Sequence, residues 1–449
     1  MITKTIKGLV KRLVQGEGTT ARRISRNEHQ IDRSHVSRNA IKVCEVLQQK
    51  GFQAYIVGGA VRDLIIGLEP KDFDVATNAT PEQIQPLFRR ARIIGRRFRL
   101  VHVVFGREII ETSTFRAPST GDELTDDHGR ILRDNVFGTH EQDAERRDFT
   151  INALYYDPVT ETVIDLHRGV DDLKRRVVRM IGDPAVRYRE DPVRMLRAVR
   201  FAIKLKGKID PGTEAPITKL ASLINNVPSA RLFDEILKLL TCGDAMLCIQ
   251  QLQAHGLHGG LLPLLDIILD DPEGRAFIEL ALERTDARIR SGKTVSPSFL
   301  FAALLWPQVR VHWQKLHNAG EHLAPALISA ADQVLNAQTE SLAINRRHAS
   351  DMREIWFMQP RFERRVPRSI HRLFEQPRFR AGVEFLQLRA ACGEFDSVIA
   401  QWWMDLADAP DKDRAQMLED LAPEPKAAST KNRRRRPRRR KPVVSDSQA

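Results

Sequence analysis

The chain has 449 residues, 42% hydrophobic and 29% charged, with a formal net charge of +13 at pH 7. That length supports two or three domains, and the composition excludes a collagenous or wholly disordered chain. Four cysteines are too few for a disulfide framework, and no apolar run reaches the roughly 18–20 residues a membrane-spanning helix needs.

The charge sits at the two ends. Residues 1–38 hold nine Lys/Arg against three acids, and residues 426–449 hold ten against one. The intervening chain carries 52 basic and 54 acidic residues. A near-neutral body with basic ends fits an enzyme tethered to a polyanion, with nucleic acid the first candidate and an anionic membrane surface the second. In residues 1–38, Ile6, Leu9, Val10, Leu13 and Val14 would share one helix face. The plain expectation is a frayed, solvated arm. The alternative is an amphipathic helix touching the inner membrane. The arm lacks a signal peptide's apolar core and cleavage site, so the expected compartment is the cytoplasm.

Residues 39–182 mix short helices and strands. A helix is expected from Arg38 to Lys50, closed by Gly51. Ala54–Val57 reads as a strand running into Gly58-Gly59 and a helix over 60–66. Asp72–Val75, Arg99–Phe105 and Arg107–Thr114 read as strands, the last two forming a hairpin around Gly106. Residues 117–135 read as a polar loop, and Ile151–Tyr156 and Val163–Leu166 as a helix turn and a strand around Asp157-Pro158. Beyond 183 the pattern is helical, giving neck helices over 183–240 and a helical body over 241–425. The block Arg433, Arg434, Arg435, Arg436, Arg438, Arg439, Arg440 and Lys441 cannot collapse, so 426–449 is expected to be a tail disordered until it meets an anion, nucleic acid being the first candidate.

Several common engines are absent: no G-x-x-x-x-G-K-[ST] loop, no H-E-x-x-H and no paired C-x-x-C. Cys242, Cys248, His255 and His258 lack zinc-ligand spacing. The informative stretch is Tyr55-Ile56-Val57-Gly58-Gly59-Ala60-Val61-Arg62-Asp63 followed by Lys71-Asp72-Phe73-Asp74. Glycines between a strand and a helix let the backbone approach a phosphate, and Arg62 adds a cation. A simple tight turn would explain the glycines alone. Asp72 and Asp74, at i and i+2 of a strand, would share a face, and a divalent cation would relieve their repulsion. Two exposed edge acids are the plain alternative, less attractive beside a phosphate-ready turn.

A two-metal phosphoryl-transfer site asks for a third carboxylate. Glu111 and Asp148 are both candidates, and their spacing leaves both open. Arg147 would clamp a triphosphate, or else pair with Asp148. In Arg189-Glu190-Asp191-Pro192-Val193-Arg194, Asp191 is the expected N-cap and Pro192 the first helical residue. Asp191 and Arg194 would present an acceptor and donors to a base edge, or simply pair with each other.

In this order the motifs resemble the class II nucleotidyltransferases of the polymerase-β superfamily, the group of bacterial poly(A) polymerases and tRNA CCA-adding enzymes, over about residues 54–240. The resemblance implies an α/β nucleotidyltransferase head with a polymerase-β-like mixed sheet, followed by an all-α neck and body. It implies that Gly58, Gly59 and Arg62 hold the triphosphate, that Asp72 and Asp74 bind catalytic Mg²⁺, and that Asp191 and Arg194 match the E-D-x-x-R motif that selects the base. Arg147 and Asp148 match the R-R-D motif, and Asp148 ranks just above Glu111 as the third carboxylate. The stretch Ile93-Ile94-Gly95-Arg96-Arg97-Phe98-Arg99-Leu100-Val101-His102-Val103 and the basic tail are similar to the bacterial poly(A) polymerases rather than the CCA-adding enzymes.

The implied function is template-independent addition of AMP from ATP to RNA 3′ ends, marking RNA for decay. ATP, RNA 3′ ends and RNA-decay proteins are the implied partners. In that reaction the RNA 3′-hydroxyl, helped by Asp148 or Glu111, attacks the α-phosphate, and Arg62 and Arg147 help neutralise the pyrophosphate. The rivals are a tRNA CCA-adding enzyme, sharing the whole head, and a non-catalytic RNA adaptor with a dead head.

Overall fold

A computed structural model describes residues 21–95, 99–117, 136–258, 272–341, 344–419 and 421. The chain divides into two compact units, one up to Trp356 and one from Phe357. The basic tail and Arg96–Phe98 lie outside the described residues, as does most of the loop expected over 117–135.

The first unit is built on an eight-stranded mixed sheet. Its strands are β1 (Arg22–Ile24), β2 (Ala54–Val57), β3 (Asp74–Thr77), β4 (Ala91–Ile94), β5 (Leu100–Phe105), β6 (Glu108–Thr114), β7 (Leu154–Asp157) and β8 (Thr162–Asp165). They lie in the order β1-β8-β7-β2-β3-β6-β5-β4. Every pairing is antiparallel except β3 with β6. The central strands β2 and β7 are buried along their whole length, as continuous apolar runs with neighbours on both sides must be.

Helix α1 (Arg38–Gln49) buries Ile41, Val43, Cys44 and Leu47 and starts at Ser37, whose side chain accepts from the Asn39 and Ala40 amides. The expected hairpin forms, with Gly106 at φ +62 in its two-residue turn. Helix α2 (Gly59–Ile65) follows β2 directly, and α3 (His140–Glu145) precedes β7. The neck and the start of the body contribute α4 (Pro184–Glu190), α5 (Val193–Lys204), α6 (Ser229–Leu240), α7 (Ala245–Ala254), α8 (Pro272–Arg290), α9 (Pro297–Asn318) and α10 (Leu323–Ser341). One strand interrupts this helical series, since Lys208–Ile209 pairs in parallel with Val177–Val178.

The sequence reading needs correcting in three places. Residues from Arg22 onward are not a frayed arm, because β1 pairs with β8 at the sheet edge. Ile24, Ile31 and Val36 are buried, and His29 Nε2 reaches the Glu161 carbonyl at 3.0 Å. Three widely spaced apolar residues among many charges give no periodic signal, and burial decides their place. The other two corrections are small: β3 begins at Asp74, so Asp72 precedes the strand, and of the helix turn expected over Ile151–Tyr156 only the part within Thr150–Asn152 is helical, Leu154 to Tyr156 joining β7. Phe73 is still buried between two exposed aspartates.

The second unit packs around Trp403. Its helices α11 (Pro367–Phe374), α12 (Phe379–Ala391) and α13 (Ser397–Asp408) bury Ile370, Leu373, Val383, Leu386 and Leu406. Trp403 Nε1 donates to the Phe362 carbonyl at 2.9 Å, which leaves its buried ring without an unmet donor.

His140, the first residue of α3, is 8% exposed and lies against Tyr55, Phe115 and Tyr155. Burial lowers its pKa to about 4, and its Nε2 has no hydrogen-bond partner. The folded chain therefore binds fewer protons here than the unfolded chain between the ordinary histidine value and about 4. Stability is fully present above that window and falls as pH drops through it. His140→Phe should flatten the loss of melting temperature between about pH 6.5 and pH 4, read from thermal melts of both proteins.

Candidate active site

A cavity of about 740 Å³ opens above the carboxyl end of β2, lined by Gly58, Gly59, Asp72, Asp74, Glu111 and Asp191 among others. Gly58 sits at φ +72, a backbone region that side chains rarely adopt. A Cβ there would meet Arg147 Nη1 at 3.2 Å. Glycine at this turn therefore serves both the backbone conformation and the arginine beside it.

The parallel register of β3 and β6 sets Asp74 directly beside Glu111. Asp74 keeps an edge exposed to the cavity. Even so, its packed surroundings first, then Glu111, push its carboxyl up to about 6, with Asp72 adding to the rise and Arg147 opposing it. Glu111 Oε1 lies 3.2 Å from His102 Nε2 and accepts from it in the tautomer that carries the Nε2 proton.

Asp148 is placed differently. It takes Arg197 Nη2 at 2.6 Å, the Asn152 amide at 3.0 Å and the Phe149 backbone N–H at 2.8 Å. Burial alone would raise its pKa, but these partners outweigh it and hold the carboxyl below its ordinary value. Of the two candidate third carboxylates, the geometry brings Glu111 to the aspartate pair and commits Asp148 to a link with α5.

The cations are also occupied. Arg62 is 4% exposed; it donates to Asp63 at 2.9 Å and to Asn152 Oδ1 at 2.7 Å, with its guanidinium 4.8 Å from the Phe201 ring centre. Arg147 pairs with Asp143 at 3.1 Å, not with Asp148, and also donates to Tyr155 Oη at 2.9 Å and to the Asn152 carbonyl at 3.2 Å. Both arginines expected on a triphosphate thus tie the cavity wall together. Lys71 and Lys204 also line the cavity. Lys204 is bound to Asp63 at 2.7 Å. Lys71 is exposed and has no ion pair among the described residues.

In the neck, Asp191 closes α4 instead of capping α5 with its side chain. Its Oδ2 takes Arg231 Nη2 from α6 at 2.6 Å, and its Oδ1 is buried with no hydrogen-bond partner. Arg194 Nη1 donates to the Arg187 carbonyl at 2.8 Å and to Glu190 at 3.0 Å. Asp191 and Arg194 therefore do not pair with each other. Each is fixed from behind, and both line the cavity. Arg231 and Arg197 escaped the sequence reading as supports, because contacts between helices far apart in sequence leave no local pattern.

Three family models match the chain. They are the poly A polymerase head domain over residues 54–179, "Probable RNA and SrmB-binding site of polymerase A" over 208–269, and the polymerase A arginine-rich C-terminus over 319–441. Poly(A) polymerase I of Salmonella typhi is 44% identical over 431 residues, covering 93% of this chain and 92% of that one. The chain belongs to the poly(A) polymerase I family.

A CCA-adding enzyme of Levilactobacillus brevis is 43% identical, but over 44% of this chain and 49% of its own. The likeness that separates the two activities therefore runs through nearly the whole length of the poly(A) polymerase I relative. The expectation of a polynucleotide adenylyltransferase, a poly(A) polymerase in preference to a CCA-adding enzyme, holds. A solved CCA-adding enzyme in its apo form, 16% identical, superposes with a TM-score of 0.56 over 90% of this chain and 97% of that one, and shares the fold. The nucleotidyltransferase fold class expected from the motifs holds too. Among the described residues of this poly(A) polymerase no helix is long and apolar enough to cross a membrane.

If Asp148 is a tie, neutralising it should cost stability. Asp148→Asn leaves Arg197 without its carboxylate and should lower urea stability by about 2 kcal/mol, less than the roughly 3–5 kcal/mol for a fully buried pair because Arg197 is part-exposed. Glu111→Gln should leave urea stability unchanged.

Proposed function

We propose that ATP and the RNA 3′ end meet in this cavity, with Asp72, Asp74 and Glu111 as the reacting wall and Asp191 with Arg194 as the base-reading wall. The observation that carries this reading is the register that sets Asp74 beside Glu111, with Asp72 two residues before it on the same cavity wall.

An all-oxygen donor set suits Mg²⁺, so the residues fit the expected ion. Among the described residues no three such groups converge tightly enough to hold an ion alone. That agrees with an ion held by one or two carboxylates and completed by substrate phosphates. Asp72 and Asp74 would hold it, and when bound it would polarise the α-phosphate and neutralise developing charge.

The protein's own groups supply position and polarity. The backbone at Gly58-Gly59 admits the phosphates closely, and Lys71 offers a cation without a carboxylate partner. Glu111 is placed to accept the proton of the RNA 3′-hydroxyl as it attacks the α-phosphate and pyrophosphate leaves. Asp191 Oδ1 is an unmet buried acceptor, suited to the amino group of adenine, while Arg194 can donate to the ring nitrogen beside it. Arg62 and Arg147 act through the wall they brace. The basic tail adds sequence-independent RNA affinity, and tailing of RNA for decay in the cytoplasm, alongside RNA-decay proteins, is the biological setting.

Extension assays with each NTP offered singly, on a generic RNA and on a tRNA lacking its 3′ end, test the reading. Long ladders with ATP on both RNAs are expected. Addition confined to C, C and A on the tRNA would overturn it in favour of a CCA-adding enzyme. Asp72→Asn and Asp74→Asn should each abolish addition with unchanged melting curves, and near-normal activity in either would remove the metal assignment. Deleting residues 426–449 should lessen the salt dependence of RNA binding, read as the slope of log affinity against log salt.

A further inference from the structure

The second unit carries a basic face that the catalytic reading leaves unused. Arg361 ends the turn Gln359–Arg361, Arg364 and Arg365 follow it, and Arg368 and Arg372 stand one helical turn apart on α11. Arg364, Arg365, Arg368 and Arg372 are exposed. None of the five guanidiniums has a carboxylate within ion-pair distance among the described residues, although Glu363 and Glu375 lie in the same stretch. Elsewhere in this unit the pattern is opposite: Arg380 meets Glu384 and Asp408, Arg389 meets Glu394 and Arg414 meets Asp411.

The clustering is electrostatically unfavourable as it stands. Partial burial first, then the charge of Arg372, lowers the pKa of Arg361. Like charges gathered without partners raise the free energy of the fold, and an incoming anion relieves that cost. Trp402, partly exposed, lies beside Arg365, whose guanidinium is 5.5 Å from its ring centre.

We propose that this face binds single-stranded RNA, its arginines on successive phosphates and Trp402 as a stacking platform for a base. The proposal rests on the reading of the head as an RNA-extending site. Guanidiniums match phosphate oxygens bidentately, and a base needs no particular identity to stack on an indole. A lipid surface is the poorer match, because membrane-surface helices insert apolar residues, and Ile370 and Leu373 of α11 both point into the core.

The test is binding of a fluorescein-labelled oligo(A) to the full chain across a salt series, without catalysis. With Arg364→Gln, Arg365→Gln, Arg368→Gln and Arg372→Gln combined, the slope of log affinity against log salt should fall by about 2 to 3, since each single-strand phosphate contact contributes about 0.7. The same four positions changed to Lys should keep most of the slope. An unchanged slope in the Gln variant overturns the proposal. Loss of binding to phosphatidylglycerol vesicles with the oligo(A) slope intact overturns it in favour of lipid.

The melting temperature of the Gln variant should stay level or rise as repulsion is removed. If that variant unfolds instead, photo-cross-linking of a thiouridine-bearing RNA to the unaltered protein decides: links to Trp402 or the 361–372 peptide support the face, and links confined to other peptides overturn it. Because the readout is binding alone, a protein that bound RNA through this face yet added no AMP would refute the head reading and leave this one standing.

Discussion

The proposed chemistry depends on one parallel strand pairing. β3 and β6 are the single parallel pair in an otherwise antiparallel sheet, and their register sets Asp74 beside Glu111. A one-residue slip would turn Glu111 to the opposite face of the sheet and undo the acid wall. The register is held from both sides. Val75, Ala76 and Thr77 of β3 are fully buried, as are Ile110 and Thr112 of β6, and β5 closes onto β6 through the tight turn at Gly106. The fold thus uses well-packed strands to hold together acids that repel each other, and the raised Asp74 carboxyl is the electrostatic trace of that constraint.

Around this wall the arginines act mainly as ties. Arg147 gathers Asp143, Tyr155 and the Asn152 carbonyl, Arg62 gathers Asp63 and Asn152, and Arg197 joins the Asp148 segment to α5. Asn152 recurs in three of these links, through its carbonyl, its side-chain oxygen and its amide. Burying charges is costly unless each is met by partners of good geometry, so such a network fixes orientation more than it adds stability. Here it fixes the turn at Gly58, the strand β7 and the neck helix α5 relative to the acids.

Much of this was legible in the sequence. The Gly58-Gly59 turn, the hairpin and the acids all follow short-range rules, because turns and strand alternation are set by neighbours in the chain. Asp72 and Asp74 straddle a buried Phe73 as alternation requires, even though the strand begins only at Asp74. The different surroundings of Glu111 and Asp148 were not legible. Both are acids near the right motifs, and the difference lies in a strand register and a helix contact that couple residues 37 and 49 positions apart (Asp74 to Glu111, Asp148 to Arg197). The role of Arg22–Val36 was hidden for a related reason. Three buried apolar residues in a charged stretch show no period, and only the open edge of β8 gives them a place.

Arginine therefore serves two ends in this chain, and partner count distinguishes them. Arg62, Arg147 and Arg197 are met by acids or carbonyls and belong to the framework. Arg364, Arg365, Arg368 and Arg372 are met by none, and their stretch keeps a repulsion that a purely structural surface would have no reason to retain. A single composition term, an excess of basic residues, covers both uses and cannot separate them. The separation appears only once side chains are placed, because charge neutralised within the fold no longer reaches a ligand, whereas charge left unmet is available to a polyanion. On that physical ground the formal +13 says little about where charge is free to meet a polyanion.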